Sequence, residues 1–192
     1  PLALEGIEGT GSMGDDTALA VLSTMPRSIY DFFRQQFAQV TNPPIDSLRE
    51  TSVMSLESCF GPELNIFEET QDHAKRIVST SPVLSHKKLT SLLKNPYFKV
   101  ESFDLTFAPK IKLQDALENL TKKVVQAVKN GSVIIHLNEI LPQGDDLSIN
   151  ALLATGCVHQ ELVKLGLRSD ANLVISSATA RDTHHIACLI SF

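Results

Sequence analysis

The chain has 192 residues, of which 43% are hydrophobic and 20% are charged. This balance is typical of a globular protein and excludes wholesale disorder, and the length is enough for one full hydrophobic core. The formal net charge is −5 and the sequence contains no basic block, so we expect no nucleic-acid partner. No apolar run reaches the roughly 20 residues of a membrane span, so we expect no membrane partner either.

The cysteines bear on the cellular compartment, and the two chain ends bear on whether the sequence is a whole domain. Cys59, Cys157 and Cys188 are too few and too scattered for a disulfide framework, which favours a reducing compartment. The chain begins at Pro1 and ends on the apolar run 186–192, without a polar tail. Natural C-termini are usually exposed and polar. We therefore interpret the chain as a single domain truncated at both ends.

Residues 1–98 form the irregular part of this predicted domain. A loop and a short apolar strand at 18–23 precede a predicted helix from about Thr24 to Val40, whose apolar residues recur at helical spacing. Pro43 and Pro44 end that helix, because proline disfavours helix in the residue before it. The other elements predicted here are a turn at 58–62 and two shorter helices, near 71–79 and 85–94.

Residues 99–192 alternate regularly between strands and helices. The predicted order is a strand at 100–107, a helix at 113–128 ending at Gly131, a strand at 133–137, a helix at 148–165 ending at Gly166, a strand at 173–176 and a helix at 179–192. Crossovers of this length predict parallel strands. The fold class is therefore α/β, either a doubly wound sheet or part of a (β/α) barrel. Because the chain is too short for eight units, we expect a partial barrel-like domain.

A glycine-rich segment near the start of the chain matches a nucleotide-binding pattern. Residues 9–14 read GTGSMG, which fits GxGxxG. The dinucleotide motif needs a preceding strand, and none is predicted here. Asp15 and Asp16 follow at once and would repel a pyrophosphate. A turn-forming loop is the favoured interpretation.

Histidines on two predicted helices raise the question of a zinc site. His184 and His185 are adjacent, so on a helix their side chains diverge by about 100°. His159 and Glu161 have the same difficulty, and a zinc site would require the two helices to converge. Helix-surface or interface histidines are the favoured interpretation. Among the cysteines, those at 157 and 188 lie in apolar helices and Cys59 has no nearby histidine, so we expect no nucleophile.

Polar residues follow the ends of the predicted parallel strands: Glu139, Asp145, Asp146, Ser176 and Ser177. In barrel enzymes this face of the sheet carries function. The two serines precede a helix N-terminus and could hold an anion, although a capping turn is the simpler interpretation. These residues keep open a free-standing small enzyme, or an interaction module, with a site at the strand ends.

The most unusual segment is residues 37–46, which contains Thr41-Asn42-Pro43-Pro44. Two prolines directly after a helix hold the backbone extended and rigid. The ending helix leaves the carbonyl groups of Thr41 and Asn42 incompletely paired. Such a segment can offer polar groups to a partner or a passage, or it is simply a stiff connector.

Long blocks of this sequence resemble the central domain of the large chain of glutamate synthase. The resemblance spans essentially the whole chain, and one local departure is Ser47, where many relatives have proline. The specific blocks are residues 11–17, 19–23, 30–46, 49–50, 53–58 and 61–65, with looser agreement at 152–154, 165–168 and 181–185.

The resemblance implies a non-catalytic linking role in an enzyme that makes two glutamates from glutamine and 2-oxoglutarate. In that family an amidotransferase domain releases ammonia, and an FMN-containing (β/α) barrel with an iron–sulfur cluster reduces the iminoglutarate. The central domain joins the two and has a similar topology without flavin. We therefore expect the amidotransferase and FMN domains of the same polypeptide as partners, and FMN and the cluster only in the intact enzyme.

The resemblance also implies one functional segment. In the family, backbone near the Thr-Asn-Pro-Pro segment narrows an internal tunnel for ammonia in transit, so Thr41 and Asn42 are expected to line it. No catalytic, cofactor-binding or metal-ligating residue is expected in this fragment. The expected location is the cytoplasm, or the plastid stroma in a plant or alga.

Overall fold

A three-stranded parallel sheet forms the centre of the fold. The structure is a computed structural model that describes residues 2–6, 21–33, 44–139, 142 and 144–192. The strands are β3 (Val100–Asp104), β5 (Ile134–Glu139) and β7 (Asn172–Ser177), with β5 in the middle. Three helices alternate with them: α4 (Leu113–Lys129), α5 (Ala151–Lys164) and α6 (Thr183–Ser191). The predicted α/β class with parallel strands, consistent with a partial (β/α)-barrel-like domain, is confirmed.

The main core lies between the sheet and the two longer helices. Ile135 and Leu137 of β5 point toward α4 and α5, where Val124, Val158 and Leu162 are fully buried. Each such side chain contributes about 1.5–3 kcal/mol of burial free energy. The predicted apolar face of α4 is confirmed, and Gly131 follows that helix with φ of +86°, the left-handed conformation of a C-terminal cap.

The opposite face of the sheet is covered near its amino end by a hairpin and a helix. Strands β1 (Ser58–Phe60) and β2 (Ile77–Ser79) pair antiparallel, and α3 (His86–Leu93) follows them. The prediction of a helix at 71–79 is wrong: a 3₁₀ turn at Gln71–Ala74 leads into β2. Pairing with β1 and packing of Ile77 against the sheet outweigh the local helical pattern. The helix predicted at 85–94 is confirmed.

The predicted helix from Thr24 is wrong over its described part. Only a 3₁₀ turn at Ile29–Phe32 forms, because Ser28 and Asp31 make a capping box that begins the turn at Ser28. Phe33 is already extended, with φ of −98° and ψ of 120°. The described residues 21 and 22 form a turn and 23 is irregular, so this part of the strand predicted at 18–23 is wrong as well. The rest of the predicted helix and residues 18–20 lie outside the described residues.

Shorter elements complete the described part of the chain. The predicted strand 100–107 breaks at Leu105, whose N–H donates to the Asn138 carbonyl and whose carbonyl accepts from Ile149 N–H. None of the helices in the described residues is long and apolar enough to cross a bilayer. The remaining elements are α1 (Leu2–Glu5), α2 (Glu50–Val53), the antiparallel pair β4 (Thr106–Phe107) and β6 (Leu147–Ser148), and a 3₁₀ turn at Arg168–Asp170.

Candidate functional site at the carboxyl end of the sheet

The carboxylate of Glu139 is the centre of a hydrogen-bonded cluster at the end of β5. Glu139 is 4% exposed. Its Oε1 accepts from the backbone N–H of Ala151 at 3.0 Å and from the Thr179 hydroxyl at 3.1 Å. Its Oε2 accepts from the Ser177 hydroxyl and from the N–H groups of Ala178 and Thr179, the last two at 3.0 and 3.2 Å. We call these five residues the strand-end cluster.

Strand register and helix capping explain how the strand-end cluster forms. In the parallel pairing of β5 with β7, Glu139 lies opposite Ser177, so both reach the same edge of the sheet. Asn150 caps α5 by accepting from Leu152 N–H at 2.9 Å, and its amide donates to the Thr179 hydroxyl at 3.2 Å. The first N–H of α5 is thereby directed at the carboxylate, where the helix dipole favours negative charge.

Tyr30 lies directly against the strand-end cluster. Its ring is fully buried and stacks on His185 with centroids 4.3 Å apart, and its carbonyl accepts from His184 Nε2 at 2.9 Å. Burial raises the pKa of Tyr30, the neighbouring Thr179 hydroxyl lowers it, and the charge of Glu139 raises it further. Within the described residues, the Tyr30 hydroxyl has no hydrogen-bond partner. It is therefore a buried donor beside a carboxylate that it does not reach.

A second polar group crosses the three strands on the other face of the sheet. His136 is 6% exposed and lies between two serines, with Nδ1 3.1 Å from the Ser102 hydroxyl and Nε2 2.8 Å from the Ser176 hydroxyl. Burial lowers the pKa of His136, partly offset by Asp104. A neutral imidazole donates from one nitrogen and accepts at the other, so one serine accepts and the other donates. The group therefore joins β3, β5 and β7 without a charge.

Comparison with known proteins decides the family. The family model described as "Glutamate synthase central domain" matches residues 1–192. The chain belongs to the glutamate synthase central domain family. The resemblance inferred from the sequence is confirmed.

Relatives of this central domain come from plants, cyanobacteria and yeast. The chain is 41% identical over 197 residues to "Ferredoxin-dependent glutamate synthase 2, chloroplastic" of Arabidopsis thaliana, covering 100% of the chain and 12% of the relative. It is 41% identical over 198 residues to "Ferredoxin-dependent glutamate synthase 2" of Synechocystis, covering 100% of the chain and 13% of the relative. For "Glutamate synthase [NADH]" of Saccharomyces cerevisiae the identity is 38% over 200 residues, covering 100% of the chain and 9% of the relative. The chain thus matches a small part of each relative.

The strand-end residues of this central domain do not fit a flavin phosphate. The N–H groups that could bind a phosphate at this edge already bind Glu139. Among the described residues, no group of three or more His, Cys, Asp or Glu side chains is placed to hold a metal ion. Cys59 lies exposed in β1, whereas Cys157 is half-buried in α5 and Cys188 is buried in α6.

The other candidate residues from the sequence have structural contacts or lie elsewhere. His184 and His185 hold the 29–32 turn against α6, and His159 Nδ1 accepts from Arg168 Nε at 3.0 Å. Asp145 and Asp146 are exposed in the turn before β6. Ser177 belongs to the strand-end cluster, but Ser176 faces His136 on the opposite side of the sheet. The glycine motif at 9–14, Thr41 and Asn42 lie outside the described residues.

The sequence analysis missed five side chains in or beside these polar groups. They are Tyr30, Ser102, His136, Asn150 and Thr179. Asn150 had a usable signal, because asparagine directly before an apolar helix is a preferred N-cap. His136 had a weaker one, as a lone histidine inside a predicted buried strand. Tyr30 had none, since it meets the strand-end cluster only through tertiary packing.

Proposed function

We propose that this chain is the non-catalytic central domain of a glutamate synthase polypeptide. In this proposal it joins the amidotransferase domain to the FMN synthase domain and helps to wall the passage that ammonia takes between them. FMN and the iron–sulfur cluster belong to other domains, and residues 1–98 and 99–192 are two parts of one domain. The observation that carries the proposal is the family match over residues 1–192, together with relatives named as glutamate synthases.

The state of Glu139 supports a non-catalytic role. A general base must be able to accept a proton from a substrate, within hydrogen-bond reach. Both oxygens of the Glu139 carboxylate instead accept hydrogen bonds from the chain itself, and the side chain is almost fully buried. The alternative of a free-standing enzyme that uses Glu139 at the strand ends therefore has no support from this residue.

Exposed apolar side chains support contacts with other domains. Large contiguous apolar surfaces on a protein commonly mark interaction sites. In this chain, exposed large apolar residues are frequent in the described parts of 21–67, and five of them are 84–95% exposed. Neighbouring domains of the same polypeptide are the proposed cover. These residues are Val21, Leu22, Met25, Phe32, Leu48, Val53, Met54, Leu56, Ile66 and Phe67.

The physical reason for an enclosed passage is the basicity of ammonia. In bulk water at neutral pH ammonia takes up a proton and is lost as a nucleophile, whereas an enclosed passage excludes that water. The proposed wall is the segment Thr41-Asn42-Pro43-Pro44. Two successive prolines restrict the backbone, which suits a constriction of fixed width.

The experiment is a bulky substitution in the full-length polypeptide. We expect Asn42→Trp to uncouple the two half-reactions, so that the ratio of glutamine hydrolysed to glutamate formed rises several-fold. Asn42→Ala is the matched control, because it removes the same amide without adding bulk, and it should leave the ratio near that of the unmodified enzyme. An unchanged ratio in Asn42→Trp would remove the tunnel role from this segment.

The size of the native polypeptide tests the linking role separately. An antibody raised against this chain should detect, in a lysate of the source organism, a band several times larger than 21.0 kDa. A band near 21.0 kDa would contradict the proposal that the chain joins two other domains.

A further inference from the structure

The donors around Glu139 have the arrangement of an oxyanion-binding site. Three backbone N–H groups, from Ala151, Ala178 and Thr179, converge on one carboxylate together with the hydroxyls of Ser177 and Thr179. Backbone N–H groups at a helix start and in the loop before another helix are the donors that proteins use for phosphate. Here they are contributed by α5 and by the turn between β7 and α6.

Tyr30 supplies an independent indication that the site suits a larger anion. Its side chain is 0% exposed, its hydroxyl has no hydrogen-bond partner within the described residues, and the neighbours of that hydroxyl include Thr179, Ser177 and Glu139. A planar carboxylate has two oxygens, and both already accept from other groups. A tetrahedral oxyanion has four oxygens and could accept from this remaining donor as well.

We infer that Glu139 is a built-in anion that occupies an oxyanion site at the carboxyl end of the sheet. The native protein therefore does not bind phosphate there, and removing the carboxylate creates a site for one inorganic phosphate. The volume vacated by a change to alanine is that of the carboxylate and one methylene group, and the donors that lose Glu139 become available to the ligand. The inference does not depend on the linking or tunnel role.

The experiment measures binding of radiolabelled inorganic phosphate to the full-length protein and to two variants at position 139. We expect Glu139→Ala to bind one phosphate more per chain than the unmodified protein, with sulfate competing for the additional site. Glu139→Gln is the matched control, because its amide fills the same space and should give no additional site. Adding Tyr30→Phe to the alanine variant should weaken phosphate binding about 2–10-fold, the worth of one hydrogen bond.

Three results would overturn the inference. The first is a folded Glu139→Ala protein that binds no additional phosphate. The second is equal phosphate binding by the alanine and glutamine variants, which would place the ligand elsewhere. The third is an unmodified protein that already binds phosphate at the strand-end cluster, although Glu139 is present.

A variant that does not fold still tests the inference. Glu139→Ala would then be refolded in phosphate and in chloride at matched ionic strength. A higher yield of folded protein in phosphate supports the inference, because a ligand of the native state stabilises that state. Equal yields contradict it. Neither outcome alters the coupling ratio that tests the proposed function, so the two failures are distinguishable.

Discussion

Asn172, the first residue of β7, donates from its side-chain amide to the carbonyl of Gly61, 3.0 Å away and 111 residues earlier in the chain. The same amide lies 3.2 Å from the Val133 carbonyl. Close by, the N–H of Glu63 donates to the carbonyl of Ser169 at 2.9 Å. These contacts attach the end of β1 to the amino end of the parallel sheet, so the hairpin and the sheet are expected to unfold together.

We expect Asn172→Ala to destabilise the protein by about 1–3 kcal/mol, because it leaves the carbonyl of buried Gly61 without this donor, whereas the Val133 carbonyl keeps the backbone N–H of residue 172. Urea unfolding followed by circular dichroism measures this loss. Asn119→Ala is the control, since Asn119 is exposed on α4, and it should change the free energy of unfolding by less than about 0.5 kcal/mol. Equal effects from the two variants would contradict the attachment.

Gly61 should tolerate no side chain. Its φ is +152°, and an added Cβ would lie 2.9 Å from Arg76 Cδ and 3.2 Å from the Lys75 carbonyl oxygen. We expect Gly61→Ala to cost about 1–3 kcal/mol through backbone strain. Gly156→Ala is the control. Gly156 lies within α5, and an added Cβ there would contact only the Phe192 ring, at 3.7 Å. This variant should be neutral or stabilise by up to about 1 kcal/mol. Thermal unfolding of both variants measures the difference. A Gly61→Ala protein as stable as Gly156→Ala would contradict the predicted backbone strain at position 61.

His136 should make stability fall in mild acid. Burial lowers its pKa in the folded state below the ordinary value of 6.5. Well above pH 6.5 the imidazole is neutral in both the folded and the unfolded state, so its full contribution to the free energy of unfolding is present. As pH falls below 6.5, the unfolded state takes up a proton that the folded state does not, so stability is lost until the folded pKa is reached.

The measurement for His136 is the free energy of unfolding between pH 7.5 and 5. We expect the stability advantage of the unmodified protein over His136→Gln to shrink by up to about 1.4 kcal/mol per pH unit below 6.5. His86→Gln, at an exposed position on α3, is the control for general histidine effects. A constant difference between the unmodified protein and His136→Gln across this range would show that the histidine does not titrate differently on unfolding.

The three cysteines should differ in reactivity. Cys59 is exposed, whereas burial raises the pKa of the Cys157 and Cys188 thiols and so reduces their reactive thiolate at neutral pH. With a disulfide reagent such as DTNB, we expect Cys59→Ser to remove a fast-reacting thiol. Cys157→Ser should leave the fast phase intact. Loss of that phase in Cys157→Ser instead would reverse the assignment.

Local patterns in the sequence were sufficient for the three parallel strands and the helix that follows each of them, but not for the β4–β6 pair. The apolar face of α4, the glycine after it, and the apolar run of β5 each depend on residues a few positions apart. The same reasoning was wrong at 24–33 and 71–79. There the capping box at Ser28 and the pairing of Ile77 with Phe60 outweighed an apolar spacing that also fits a helix.

By itself, the sequence determined the α/β class, the order of the parallel strands and the helices that follow them, and the family, because periodicity, caps and long matching blocks are properties of the linear chain. The strand-end cluster was decided only by the tertiary structure. Glu139 as a strand-end residue was visible in the sequence, but its donors Ala178 and Thr179 follow 39 and 40 residues later. Only the parallel register of β5 with β7, and the packing of Tyr30 against α6, bring these groups to one place.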